Sequence, residues 1–126
     1  MFLFFYHDKL FTAAKGQGAY LCKIDENPRE QGRRLPLSYP HPAPPLPSLS
    51  MALVAGEYGS DRKAEVIDPK VKSMRNLSAR DPSPATPGRA VGHAHGIRCL
   101  GSAALNMMAV AQGQFDAYWE VGCWEW

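Results

Sequence analysis

His93, His95 and Cys99 are the first residues of this chain whose types suggest chemistry, because imidazole and thiolate are the usual zinc donors. They stand as His93-x-His95 with Cys99 shortly after, and no fourth donor follows at a spacing that would close a tetrahedral site. Gly92, Ala94 and Gly96 around them read as loop, so no metal is assigned there. Ser102 invites a nucleophile reading, but no Gly-x-Ser-x-Gly elbow surrounds it. A serine ahead of an apolar run is better explained as a helix cap. Cys22, Cys99 and Cys123 are odd in number and far apart, the pattern of isolated reduced thiols and not of a disulfide framework.

Composition narrows what such residues could serve. A chain of 126 residues is one domain at most, and eleven Gly with eleven Pro leave fewer positions to build its core. A net charge of +2, with 45% hydrophobic and 21% charged residues, gives no electrostatic reason to expect nucleic acid as a partner. No apolar run approaches the roughly 20 residues a membrane-spanning helix needs, so no membrane partner is expected. The opening run, residues 1–6, lacks a basic flank and is broken at once by His7, Asp8 and Lys9. A cytoplasmic location is the expectation. The sequon Asn76-Leu77-Ser78 is then treated as chance.

The elements that must position any site can be read in order. Residues 2–21 carry strand chemistry in three pieces, Phe2-Leu3-Phe4-Phe5-Tyr6, Lys9-Leu10-Phe11-Thr12-Ala13 and Ala19-Tyr20-Leu21-Cys22, with Gly16 and Gly18 flanking a turn. A β-meander is expected. Residues 24–34 turn polar, and six prolines follow between Pro36 and Pro47, which no ladder or helix can cross. The division that results is a hairpin segment 1–22, a Pro-rich irregular insertion 23–49, and an α/β portion 50–126. Ser50-Met51-Ala52-Leu53-Val54-Ala55-Gly56-Glu57 suits a buried strand. Ser60 or Asp61 then caps a helix carrying Ala64, Val66, Ile67, Val71 and Met74, which Pro69 kinks or interrupts near Asp68. Asp81-Pro82-Ser83-Pro84 ends it. Finally Ser102 as N-cap and Gly113 as C′ residue bound a helix of about ten residues that is apolar nearly all round. It should be buried on more than one side. It feeds a strand in which Phe115, Ala117 and Trp119 share one face and Asp116, Tyr118 and Glu120 the other.

Three segments, in order, resemble the inositol monophosphatase family. Gly101-Ser102-Ala103-Ala104-Leu105-Asn106, the Gly113 turn and Asp116-Ala117-Tyr118-Trp119-Glu120 with Gly122 and Trp126 resemble its C-terminal domain. Leu10-Phe11-Thr12-Ala13-Ala14-Lys15-Gly16-Gln17-Gly18-Ala19-Tyr20 resembles its central hairpin, and Gly56-Glu57-Tyr58-Gly59-Ser60-Asp61-Arg62 the corner between them. Residues 23–48 and 81–92 fit the family poorly.

The resemblance implies an α/β fold, part of an αβαβα layered sandwich, and a Mg²⁺-dependent, Li⁺-inhibited hydrolysis of phosphomonoesters such as inositol monophosphate, commonly by a dimer. It implies substrate-binding roles for Gly101, Ser102 and Ala103, whose backbone would meet substrate hydroxyls at a helix N-terminus, and for Glu120, whose carboxylate would accept from a ring hydroxyl. The cation-holding acids are another matter. The family's Glu-Glu pair and Asp-Pro-Ile-Asp-Gly-Thr lie upstream of the hairpin, and its Trp-Asp motif would be completed one residue past Trp126. Ile67-Asp68-Pro69 offers an Asp-Pro without a second Asp or the Gly-Thr, so it is no substitute. No catalytic or metal-binding residue is therefore assigned, and the chain is expected to be a catalytically incomplete phosphatase. The alternative is a non-catalytic piece acting as an interaction module.

Overall fold

The computed structural model describes residues 2–6, 8–37, 44–81 and 91–121. The single core that the length suggests is instead divided between two compact units, Met1–Pro44 with Met107–Gln114, and Pro45–Asn106 with Phe115–Trp126.

The first unit is the expected meander, extended by one strand. β1 (Phe2–Tyr6), β2 (Lys9–Ala14), β3 (Gly18–Lys23) and β4 (Arg33–Arg34) form an antiparallel sheet in that order. Ala14 pairs with Gly18 across a turn closed by the Gln17 amide donating to the Ala14 carbonyl at 2.9 Å. Gly16 and Gly18 there have φ of 75° and 82°, a region open to glycine without steric cost. The register sets Phe11 opposite Leu21, and both join Leu35 in an apolar cluster with Ala19, Leu37, Met108 and Ala111. Leu10 and Cys22, paired one position along, are buried on the opposite face. The short strand β4 lies in the stretch expected to be irregular. It can form because Arg33, Arg34 and Leu35 precede Pro36 and keep their N–H groups, and the Leu35 amide donates to the Ala19 carbonyl at 2.9 Å.

In the second unit a 3-10 turn (Leu49–Met51) leads into β5 (Leu53–Gly56), α1 (Ala64–Ser78), β6 (Gly96–Arg98) and β7 (Ala117–Trp119), while α2 (Ala103–Gln112) starts in this unit and belongs to the first from Met107 onward. The three strands are parallel in the order β6-β5-β7. The central strand is buried on both faces, as helix-covered parallel sheets require. A Cβ on Gly56 would lie 2.3 Å from Met74 Cε of α1, so that face belongs to α1. The next residue, Glu57, points the other way and reaches Asn106 of α2.

Both helices depart in part from expectation. The N-cap of α1 is Lys63, without a side-chain cap bond, while Asp61 Oδ1 accepts from the Lys63 amide at 3.1 Å in the loop before it. Pro69 does not interrupt α1. It forfeits one hydrogen bond to the carbonyl of Glu65, and the packing of Met74 and Lys70 carries the helix on to Ser78. Its last turn is satisfied by the following loop, where Gly92, His93 and Ala94 donate to the carbonyls of Asn76, Ala79 and Leu77.

Helix α2 has the bounds expected. Ser102 Oγ accepts from Leu105, and Gly113, with φ of 77°, closes a Schellman motif through Gly113 to Val110 and Gln114 to Ala109. Its burial is not the one expected. Met107 is 43% exposed, whereas the polar Asn106 is wholly buried.

Candidate functional site

The second unit has a recess of about 710 Å³ where the parallel strands end. Open α/β sheets bind ligands outside the carboxyl ends of their strands, and β5, flanked by β6 and β7, supplies such an edge. The corner after β5 contributes Glu57, Gly59, Ser60 and Arg62, and the loop before α2 contributes Cys99 and Leu100. Gly101, Ser102, Ala103 and Glu120, the residues singled out in the sequence, all line this one recess.

What fixes the loop before α2 is Glu57. The residue is only 8% exposed, and its Oε1 accepts from the amides of Leu100 (2.7 Å) and Gly101 (2.8 Å) and from Asn106 Nδ2 (2.8 Å). Three donors on one carboxylate oxygen form a strong, charge-assisted set. The chain can turn sharply at this clamp because Gly101 has φ of 76°. Among the described residues nothing lies within 4 Å of a Cβ placed there, so backbone conformation and not crowding demands the glycine. Just beyond, the amides of Ala103 and Ala104 belong to the first turn of α2, whose N–H groups lack helical acceptors. Asn106 Oδ1 is buried without a partner among the described residues.

Other bonds hold the two neighbouring walls. Asp116 ties β7 to β5 twice, its Oδ2 accepting from the Leu53 amide at 2.7 Å and its own amide donating to Leu53 O at 2.9 Å. The Glu57 amide donates to Trp119 O at 3.3 Å. Glu120, the next residue, is half-buried, and its Oε2 accepts from the hydroxyl of Tyr118. Lys70 Nζ donates to the Tyr58 carbonyl at 2.8 Å and so braces the corner from α1. Desolvation, and secondarily the charge of Glu57, holds the Cys99 thiol above its ordinary value of about 9, so it stays protonated at neutral pH.

The other sequence candidates are not brought together. His93 and His95 are exposed, and among the described residues no three His, Cys, Asp or Glu side chains converge where they could hold a metal ion. Asp68 is an exposed residue of α1. Cys22 and Cys99 are free thiols, as expected, while Cys123, Gly122 and Trp126 lie outside the described residues. Sequence reasoning missed Glu57 and Asn106 as a pair. The available signal was a charged residue closing an apolar strand and an amide inside an otherwise apolar helix turn.

Comparison with known proteins now decides the family. The sequence pattern of the inositol monophosphatase family matches residues 3–126. The chain belongs to that family. It is similar to the quinic acid degradation cluster protein x of Neurospora crassa, 37% identical over 123 residues that cover 94% of this chain and 32% of that protein. Inositol monophosphatase 2 of Saccharomyces cerevisiae is 34% identical over 122 residues, covering 94% and 34%. Human inositol monophosphatase 1 is 32% identical over 119 residues, covering 93% and 33%. The fold resembles that of Mycobacterium tuberculosis SuhB, with a TM-score of 0.59 and 24% identity over 90% of this chain and 35% of that one. The chain thus spans about a third of the length of the relatives it matches. Its mixed α/β fold is a part of the inositol monophosphatase fold. No helix among the described residues is long and apolar enough to cross a membrane.

Proposed function

We propose that this chain supplies the substrate-side wall of an inositol monophosphatase-type phosphomonoester hydrolase, and that its ligand is a small phosphorylated polyol. The observation that carries the reading is the Glu57 clamp, which holds the loop at Leu100 and Gly101 beside a helix N-terminus and opposite Glu120 in one recess. In this reading the amides at the start of α2 donate to substrate oxygens, and the carboxylate of Glu120 accepts from a ring hydroxyl. Donors on one wall and an acceptor on the other orient a polyol, whose hydroxyls do both. Family membership supports phosphate-ester hydrolysis as the parent activity.

The Mg²⁺ that the family implies would orient a water nucleophile and neutralise the leaving alkoxide. The described residues do not fit it. A cation needs several converging oxygens, whereas Glu57 Oε1 is ringed by N–H donors and no acidic trio converges. These residues therefore bind and orient without supplying the charge stabilisation that cleavage demands.

An NMR titration with inositol monophosphate, run beside a phosphate-release assay over a range of Mg²⁺, tests both halves. Shifts of the Gly101, Ser102 and Ala103 amides without Mg²⁺-dependent turnover are expected. Unmoved amides would remove the recognition role, and turnover above background would overturn the incomplete site.

A further inference from the structure

Lys70 of α1 is a buried charge to which the proposed wall gives no task. It is 4% exposed and lines a second recess of about 460 Å³, which shares Gly59, Ser60 and Glu120 with the first. Its ammonium donates to the Tyr58 carbonyl at 2.8 Å, which uses one of three N–H groups. Its other charged neighbour is set by Gly59. A Cβ there would lie 3.0 Å from Lys70 Nζ and 3.6 Å from Glu120 Oε1, so the ammonium and the carboxylate approach one backbone position, the first from α1 and the second from the end of β7. Opposite charges that close attract, and Val66 and Trp119 beside them keep the local dielectric low. Asp61 and Glu65 line the same recess but are exposed, where water and salt screen them.

We infer that Lys70 is a positioning residue: its ammonium draws the Glu120 carboxylate toward the Tyr58–Gly59 corner and so holds two walls of the first recess in register. The inference rests on the reading of that recess as a polyol site. Tyr118 already donates its hydroxyl to Glu120 Oε2, and Lys70 lies on the side of Oε1, so the carboxylate is steered from both of its oxygens. A carboxylate at a strand end otherwise samples several rotamers, and fixing it beforehand removes that entropy cost from binding.

The ¹⁵N–¹H signal of the Lys70 ammonium, recorded on the unliganded full chain, tests the pairing without any polyol. A slowly exchanging signal that shifts and exchanges faster in Glu120→Gln is expected, and a signal indifferent to that substitution would overturn the inference. Titration with inositol monophosphate tests the consequence. Lys70→Met, which keeps the apolar stem, should weaken binding about tenfold, the value of one charge-assisted contact, and Lys70→Arg should retain most of the affinity. In a Glu120→Gln background Lys70→Met should then cost nothing further, because the partner it positions is gone. An equal loss in both backgrounds would overturn the inference, since Lys70 would then act through packing alone. If the unaltered chain bound no polyol while the ammonium still answered to Glu120→Gln, the polyol site would fall and the coupling of Lys70 to Glu120 would be upheld.

Discussion

The two sheets bury opposite chemistry. In the antiparallel sheet, Phe11, Leu21 and Leu35 gather further apolar side chains around them. Around the parallel sheet, Val54 and Ala55 are buried, but so are Glu57, Lys70 and Asn106. The first arrangement gains from non-directional burial, about 25 cal/mol per Å² of apolar surface, and does not depend on where any one atom points. The second depends on direction. A carboxylate that must accept three named donors fixes the loop it holds, which is how a recess becomes a site.

The contrast can be broken from either side. Phe11→Ala should cost the most, about 3–5 kcal/mol by urea denaturation, through the cavity it leaves, with the amides of Gly101 and Ser102 still responding to polyol wherever the chain stays folded. Glu57→Ala should cost about 3 kcal/mol by stranding three donors, and should also abolish that response. A smaller, local loss is expected for Gly113→Ala, about 1–2 kcal/mol, because its left-handed conformation closes the end of α2.

The smallest effect is a pH dependence. Burial, with the charges of Glu26 and Asp25, raises the Cys22 thiol above its ordinary value of about 9. The folded chain therefore keeps a proton that the unfolded chain releases. That contribution is complete below about pH 9 and is lost as pH rises beyond it. Midpoints measured between about pH 8 and pH 10 should fall, and Cys22→Ala should flatten the decline.

What the sequence disclosed follows the same division. Alternation and turn glycines are local signals, so the meander, the strand before Glu57 and the Ser102 and Gly113 bounds of α2 could be read directly. The segments likened to the inositol monophosphatases did lead to the right family. Strand β6 could not be read, because three residues after a His- and Gly-rich loop carry no period of their own and gain their identity only by pairing with β5. Lys63 replaced Ser60 and Asp61 as cap, and Pro69 proved tolerable, because tertiary packing outweighs one missing bond. Asn106 was read as a polar exception on an apolar helix. It is the most buried large side chain described, and only a partner in another element could explain it.

The parallel sheet also has a temporal consequence. Leu53 pairs with Gly96 and Val54 with Ala117, so the middle strand is synthesised long before either neighbour. Until both arrive, its two hydrogen-bonding edges stand open to any extended peptide nearby. A growing polypeptide would therefore pass through an interval of vulnerability at β5 that the hairpin, whose partners follow within a few residues, never experiences.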